Sequence, residues 1–384
     1  MDFIFTTLFI VLGYLFINSF KNKLSSNNYS TLKKLYIFHL IFGVYYCFFV
    51  LGDSVGYWMQ PKLMSFSSFI TAFKEEQGTY FIFALNYIPS NILGLSYFTG
   101  TIMYSLIGFI GMTYFYILAL ETIPNNPKFR GYNLFPLLFF FPNFHFWSCA
   151  VGKDTLLFFC IGLFVYGLLN INKRFLFIIL ALTLSYFIRP HITLFMIIAF
   201  GFSFLMNTNK SLFIRIIFFA AMIVLAIFIF PLVLKFTRIE EASVESFNNF
   251  ALNKASLLST ASSSSAVDIA SYPFPLKVFT FLFRPFFFDI NSIPSLLACI
   301  ENSILLILVI NILINKPLES FKKAPFTIRG LIYFLIIGTL AFSQSLGNLG
   351  IMIRMRNMFL PGLIIFIYWH FSYINREEVE NTLS

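Results

Sequence analysis

The sequence contains little charge for its length. Only 11% of its 384 residues are Asp, Glu, Lys or Arg, whereas a soluble domain carries about 25%. Apolar residues make up 59% of the chain and include 56 phenylalanines. A single water-soluble core of this size cannot hide so many large apolar side chains, so most of the chain is expected to lie in lipid.

The residue patterns of metal and disulfide sites are also missing. None of the four cysteines has a partner at CxxC spacing, no Asp-x-Asp motif occurs, and His145 and His191 are not at metal-ligand spacing. We therefore expect no disulfide framework, no metal and no cofactor. Residues 1–20 lack a basic amino-terminal region and a small-x-small cleavage site, so they are interpreted as a first span and not as a signal peptide.

Apolar runs of spanning length recur along the whole chain. Lipid offers no partner for an open strand edge, so these runs are predicted to be α-helices. We predict an all-α, polytopic integral membrane protein, in which residues 1–384 form a single transmembrane domain of about eleven helices. The predicted spans are 3–20, 35–51, 97–120, 132–143, 155–170, 175–188, 192–207, 211–234, 294–314, 330–345 and 359–373. The fourth is short, and a tilted or broken helix is the alternative there.

Basic residues concentrate in every second connection between these spans. If the spans alternate, one side of the membrane receives 15 Lys and Arg with five Asp and Glu, and the other receives 11 with ten. The positive-inside rule assigns the basic side to the cytoplasm, which puts the amino terminus outside and the carboxyl terminus inside. The net charge of +10 therefore reflects topology and does not indicate a nucleic-acid partner.

Two outer segments are long. Residues 52–96 begin with GDSVGYW and form the first long outer loop. Residues 235–293 form the second and contain a serine-rich patch, LLSTASSSSAVD, which is typical of a flexible loop. The aromatic and basic part that follows is expected to lie in the membrane interface or to re-enter the bilayer.

Four arginines occur at the outer boundary within apolar sequence: Arg189, Arg284, Arg354 and Arg356. A charge at membrane depth costs about 2.5–3.5 kcal/mol, so such residues usually face a cavity and serve a function. Proline follows Arg189 and Arg284, which places each near a helix end or break. The alternative is that each arginine extends to headgroup phosphates as an anchor.

The residue types at this boundary favour phosphate chemistry. Guanidinium matches phosphate bidentately, so the arginines and Lys153 are candidate ligands of a lipid-linked diphosphate. In glycosyl transfer they would stabilise the charge that develops on a lipid-diphosphate leaving group. His191 and Asp53 are the candidate catalytic bases that would take the proton of an acceptor hydroxyl. Each residue also has a structural alternative. Lys153 would then pair with Asp154 as a local ion pair, His191 would be a packed side chain, and Asp53 would be an acid in a loop.

The chain resembles the repeat-unit polymerases of bacterial surface-polysaccharide clusters, polytopic membrane proteins of the Wzy/EpsG type. The resemblance is carried by GDSVGYW, HFWSCAVGKD, IRPH, LFRPFFFDINS followed by a span with Glu301, and GNLGIMIRMRNMFLP. It implies the joining of lipid-diphosphate-linked oligosaccharide repeats on the outer face of the cytoplasmic membrane, as in O-antigen and exopolysaccharide biosynthesis. It also implies polyprenyl-diphosphate-linked oligosaccharide, membrane lipid and other polysaccharide-export proteins as partners, with the four arginines as the important charged residues.

Two other functions stay open at this point. One is a glycosyltransferase that uses a polyprenyl-phosphate sugar, with Asp53 as its base. The other is a transporter or flippase of lipid-linked sugars, which should carry charges along a path reachable from both faces. Charges inside the predicted spans are sparse, with Glu301 as the main one, and the arginine cluster lies on one side. This distribution favours an enzyme.

Overall fold

The computed structural model describes residues 1–383 except 51, 208–210, 238, 240–242 and 260–264. The middle of the predicted serine-rich loop, residues 260–264, therefore lies outside the described residues. By its internal contacts the chain forms two compact units. Unit 1 comprises residues 1–118 and 139–189, and unit 2 comprises residues 119–138 and 190–384.

Unit 1 is built from helices that begin at the amino terminus. They are α1 (Asp2–Asn18), α2 (Ser26–Phe49), α3 (Asp53–Met59), α4 (Phe66–Glu75), α5 (Thr79–Asn86), α6 (Tyr97–Thr122, which ends in unit 2), α7 (Pro142–Phe146), α8 (Lys153–Leu169) and α9 (Ile171–Ile188). The first long outer loop is thus largely helical, since α3, α4 and α5 lie within it.

Unit 2 contains a short hairpin and the remaining helices. The hairpin pairs β1 (Lys128–Phe129) with β2 (Tyr132–Asn133) in antiparallel register. The helices are α10 (Pro190–Leu205), α11 (Leu212–Thr237), α12 (Val244–Ser259), α13 (Phe274–Phe283), α14 (Ile293–Ile314), α15 (Pro317–Lys323), α16 (Phe326–Phe342), α17 (Leu349–Arg356) and α18 (Leu360–Leu383).

The protein is all-α, with several apolar helices that could span a membrane. By length and composition five described helices qualify, namely α2, α6, α9, α11 and α14. The pair α17 and α18, bent by 60°, would add a sixth as one broken span. Shorter apolar helices occur at α1, α10, α13 and α16. The predicted number of eleven spans is therefore not confirmed.

The fourth predicted span, 132–143, is not a spanning helix. It contains β2, a 3₁₀ turn at Leu137–Phe140 and the first residues of α7. Two prolines, Pro136 and Pro142, interrupt this apolar stretch. Proline restricts the preceding residue to extended backbone, so the run cannot continue as one helix.

A buried irregular segment, residues 139–152, replaces that helix within unit 1. It starts at Phe139, which packs edge-on against Tyr116 of α6, and ends at Gly152, which lies against Tyr57 of α3. His145 in its middle is fully buried and its Nδ1 lies 3.0 Å from Nδ1 of His39 on α2. Non-helical backbone is tolerated at membrane depth only where protein or a cavity surrounds it.

The predicted outer residues of unit 1 lie at one end of its helices. Asp2 at the start of α1 accepts hydrogen bonds of 2.7 Å from the Ser96 amide and the Thr99 hydroxyl at the start of α6. Ser54 of α3 bonds to Tyr97 of α6 at 2.8 Å. The ends of α1, α3 and α6 that are predicted to face the same side of the membrane therefore lie together.

The opposite end of unit 1 holds the basic connections. Arg174, in the first turn of α9, lies 3.8 Å from the centre of the Tyr166 ring. Tyr166 stacks on Tyr114 of α6 at 4.4 Å, and Tyr114 meets Phe16 of α1 at 6.0 Å. The carboxyl ends of α1, α6 and α8 therefore share this end, as alternation predicts.

Within unit 2, segments that are predicted to face the same side of the membrane also lie together. The second long loop pairs with the connection between α16 and α17, where the Val267 amide donates to Gly347 and the Leu349 amide donates to Ser265, both at 2.9 Å. At the other end Trp369 of α18 donates to the carbonyl of Ser320 on α15 at 2.8 Å. Segments predicted for one side of the membrane thus lie together in each unit, while the side that each end faces stays a prediction.

Candidate functional site

The predicted outer end of unit 1 carries three charges where α8 begins and α9 ends. Arg189 follows the last residue of α9, and its Nη1 lies 3.1 Å from Oδ1 of Asp154 in the first turn of α8. The ammonium of Lys153 donates to the Thr79 hydroxyl at 2.8 Å and lies 5.7 Å from the centre of the Tyr57 ring. An acid at a helix start and a cation at a helix end both complement the helix dipoles. The result is a charged cluster with one carboxylate and two cations.

The backbone before α8 explains how Lys153 reaches this position. Gly152 has φ of 150°, and a Cβ there would lie 3.0 Å from the Tyr57 ring. Only glycine fits this close approach without strain. Asp53 is the exposed first residue of α3, one turn before Tyr57. An exposed carboxylate and a pair of cations therefore lie at the same end of unit 1.

Arg284 of unit 2 forms a bidentate ion pair. Its Nε donates to Oδ2 of Asp289 at 3.0 Å, and its Nη2 donates to Oδ1 at 2.5 Å. Its Nη1 also donates to the Tyr272 hydroxyl at 3.2 Å, and Asp289 accepts the Phe286 amide at 2.9 Å. These contacts with Asp289 raise the pKa of Arg284 above its ordinary value, so the residue is a fixed cation.

Arg356 is buried, with 4% of its surface exposed. Its Nη1 donates to three backbone carbonyls, those of Phe281, Leu282 and Arg284. Its Nη2 donates to Oδ1 of Asn302 at 2.7 Å, and Asn302 in turn donates to the carbonyl of Pro285 at 3.1 Å. Glu301, beside Asn302 on α14, is buried and attracts Arg356 electrostatically. Arg356 and Asn302 together fix the end of α13 and the turn after it.

Arg354 lies two residues from Arg356 on α17 and is partly exposed. Residues at this spacing on a helix point in different directions. Arg354 is therefore expected to point away from the buried side of α17 that Arg356 occupies.

His191, in the first turn of α10, is surrounded by aromatic rings. Its ring lies 6.0 Å from Phe195, 5.8 Å from Phe236 and 6.0 Å from Phe342. Phe342 stacks on Phe281 of α13 at 6.5 Å. His191 is thus connected through rings to the helix end that Arg356 holds.

The structure brings Lys153 and Arg189 together in unit 1, and Arg284 and Arg356 together in unit 2. Sequence reasoning missed the partners that fix them. Asn302 carried a usable signal, because it is a polar residue next to Glu301 inside an apolar run. Asp289 lies five residues after Arg284, but nothing in the sequence marks Tyr272 or Thr79 as partners.

Within the part of the chain that the structure describes, no group of three or more His, Cys, Asp or Glu side chains is arranged to hold a metal ion.

Comparison with known proteins finds no matching family model, no matching curated protein and no matching solved structure.

Proposed function

We propose that this protein is a membrane glycosyltransferase of the polymerase type, which joins lipid-diphosphate-linked oligosaccharide repeats on the outer face of the cytoplasmic membrane. The observation that carries the proposal is the cluster of Lys153, Asp154 and Arg189, which lies at the same end of unit 1 as the exposed Asp53. Cations at a membrane boundary bind a diphosphate, and a carboxylate nearby supplies a base.

The chemistry assigns different roles to the cations. Lys153 and Arg189 of unit 1 contact the diphosphate and stabilise the charge that develops as the glycosidic bond to it breaks. Arg284 and Arg354 of unit 2 are separate candidate phosphate ligands. Arg356 acts as a positioning residue, because it is buried and donates to protein acceptors. Its effect on the substrate passes through the turn that carries Arg284.

The acceptor hydroxyl must lose a proton as it attacks the sugar carbon. Asp53 is exposed and suits this role by residue type. In unit 2, His191 is a separate candidate base by residue type, and its aromatic surroundings offer surfaces on which a sugar ring or a polyprenyl chain packs. A new bond forms between the acceptor oxygen and the sugar carbon, and the bond from that carbon to the diphosphate oxygen breaks. The base takes the proton of the acceptor hydroxyl, and the lipid diphosphate leaves.

The test is the length of the polysaccharide in cells that depend on this protein. The double variant Arg189→Ala with Arg284→Ala is expected to abolish long chains and leave single repeats attached to lipid. The matched control is Arg174→Ala with Arg329→Ala, which removes one arginine per unit at the opposite, basic ends. Both proteins are quantified in membranes by immunoblot. Unchanged chain lengths in the first variant would contradict the proposal and favour arginines that only anchor the helices.

A second candidate function is favoured by the exposure of Asp53. A transferase that uses a polyprenyl-phosphate sugar needs an accessible carboxylate as a base and a single phosphate site. In that case Asp53→Asn abolishes glycosylation of the acceptor, but the chain length of other surface polysaccharides does not change. Accumulation of unpolymerised lipid-linked repeats would instead support the polymerase.

A further inference from the structure

A cavity of about 940 Å³ lies at the basic end of unit 2, opposite the end with Arg284 and Arg356. It is bounded by the hairpin, the end of α14 and the second half of α18. Sites for small molecules have volumes of roughly 300–1,000 Å³. The cavity is therefore large enough for an ionic group together with part of the molecule that carries it.

The lining of the cavity is basic and rich in amides. Lys128, Arg130 and Arg376 supply three cations, and the amides include Asn311 on α14 and Asn315 directly after it. None of the lining residues in the described part of the chain is acidic. Cations with neutral amide donors select an anion, and guanidinium groups favour phosphate in particular.

The hairpin turn places Arg130 at the cavity wall. Arg130 and Gly131 have φ of 49° and 83°. Positive φ at both central residues is the geometry of a type I′ turn, which fits the twist of a two-residue hairpin. Arginine rarely adopts this conformation, and residues held in it tend to occur at functional sites.

His370 adds a buried polar atom to the same wall. Its side chain is fully buried, and its Nδ1 lies 2.8 Å from the Ser320 hydroxyl. Among the described residues, no group forms a hydrogen bond with its Nε2. The Ser320 hydroxyl donates to the carbonyl of Pro317 at 3.2 Å, so it accepts from Nδ1 of His370. His370 therefore contributes a polar side chain to the wall, and the cations of the lining select the anion.

We propose that this cavity is a second site, which binds a phosphate group through Lys128, Arg130 and Arg376. It is independent of the proposed glycosyl transfer, because it lies at the other end of unit 2. By the positive-inside rule it opens to the cytoplasm. The phosphate belongs either to an anionic phospholipid headgroup or to a soluble phosphorylated molecule.

Binding of radiolabelled pyrophosphate to the full-length protein in phosphatidylcholine nanodiscs tests the site. Each charge-assisted hydrogen bond is worth about tenfold in affinity. Lys128→Gln with Arg130→Gln is therefore expected to weaken binding strongly, and the exposed hairpin tolerates both changes. The control is Lys322→Gln with Lys323→Gln on α15, which removes the same charge from exposed positions outside the cavity.

A parallel measurement in phosphatidylglycerol nanodiscs identifies the source of the phosphate. If a headgroup occupies the cavity, phosphatidylglycerol displaces pyrophosphate and stays bound to the wild-type protein, but not to the hairpin variant, in native mass spectrometry. If the ligand is soluble, pyrophosphate binds equally in both lipids. Equal losses in the hairpin and α15 variants, or no binding of either probe, would overturn the proposal.

Discussion

The guanidinium of Arg356 donates a 2.7 Å hydrogen bond to the side-chain oxygen of Asn302, which connects α17 to α14. Both side chains are buried, and both also bind the backbone between Phe281 and Pro285. A buried cation costs free energy unless it is fully hydrogen-bonded. The pair meets this condition with protein acceptors, so its first role is to hold the predicted outer end of unit 2.

Replacement of Arg356 by Met is expected to lower the free energy of unfolding by about 3–5 kcal/mol, because it leaves the Asn302 oxygen and the backbone carbonyls without their donor. Arg356→Lys should lower the free energy of unfolding almost as much, since an ammonium cannot reproduce the planar set of donors of a guanidinium. Unfolding of the detergent-solubilised protein measures the loss of stability in both variants. A double-mutant cycle with Asn302→Leu isolates the pair. Arg376→Met, on the exposed side of α18, is the control, and an equal loss there would contradict this role.

The ion pair of Arg189 with Asp154 predicts a partial rescue. Its side chains are only 14% and 9% exposed, so loss of one partner is expected to cost about 3 kcal/mol. Arg189→Asp should therefore destabilise the protein, and addition of Asp154→Arg should recover part of the loss. Recovery stays incomplete because each exchanged charge then opposes the dipole of its helix, by about 0.3–1 kcal/mol.

Thermal unfolding of the single and double variants is the measurement for this pair. Arg174→Asp, at the other end of α9, serves as the control, since Asp154→Arg should not rescue it. A double variant no more stable than Arg189→Asp alone would show that the two charges are not coupled.

Most of the helices could be predicted from the sequence. Ten of the predicted spans coincide with helices, because each is an apolar run that ends at charged, polar or proline residues. The span at 132–143 was wrong because its apolar composition was given more weight than Pro136 and Pro142, which interrupt it in the sequence. The sequence does not show that protein surrounds the irregular backbone. The charged residues were found by type and depth. Their partners were not, since the contact of Arg356 with Phe281 and Leu282 depends on the packing of helices far apart in the sequence.

The predicted sidedness can be measured separately in each unit. Single cysteines at Ser67 in unit 1 and Asn291 in unit 2 are expected to react with a membrane-impermeant maleimide in intact cells. Cysteines at Lys173 and Lys322, at the basic ends of the same two units, should react only after permeabilisation. All four positions are exposed, whereas three native cysteines are buried and the fourth is half-buried on α2. Opposite behaviour of Ser67 and Asn291 would remove the premise that both charged clusters face the outside.

The irregular segment 139–152 depends on a close approach that only glycine permits. A Cβ at Gly108 of α6 would overlap the carbonyl oxygen of Ser148. Gly108→Ala must therefore push the segment away from α6 and break the 3.1 Å hydrogen bond from Ser105 to the carbonyl of Cys149. Overpacking of this kind costs about 1–3 kcal/mol.

Gly56→Ala is the matched control, because a Cβ there meets nothing within 4 Å. Alanine also favours a helix by up to about 1 kcal/mol relative to glycine, so this variant should be at least as stable as the wild type. Two measurements separate the variants: the unfolding temperature, and the rate at which a small thiol reagent modifies Cys149, which is fully buried in the native protein. Gly108→Ala should lower the first and raise the second. If both variants match the wild type in both measurements, the segment does not depend on its contact with α6.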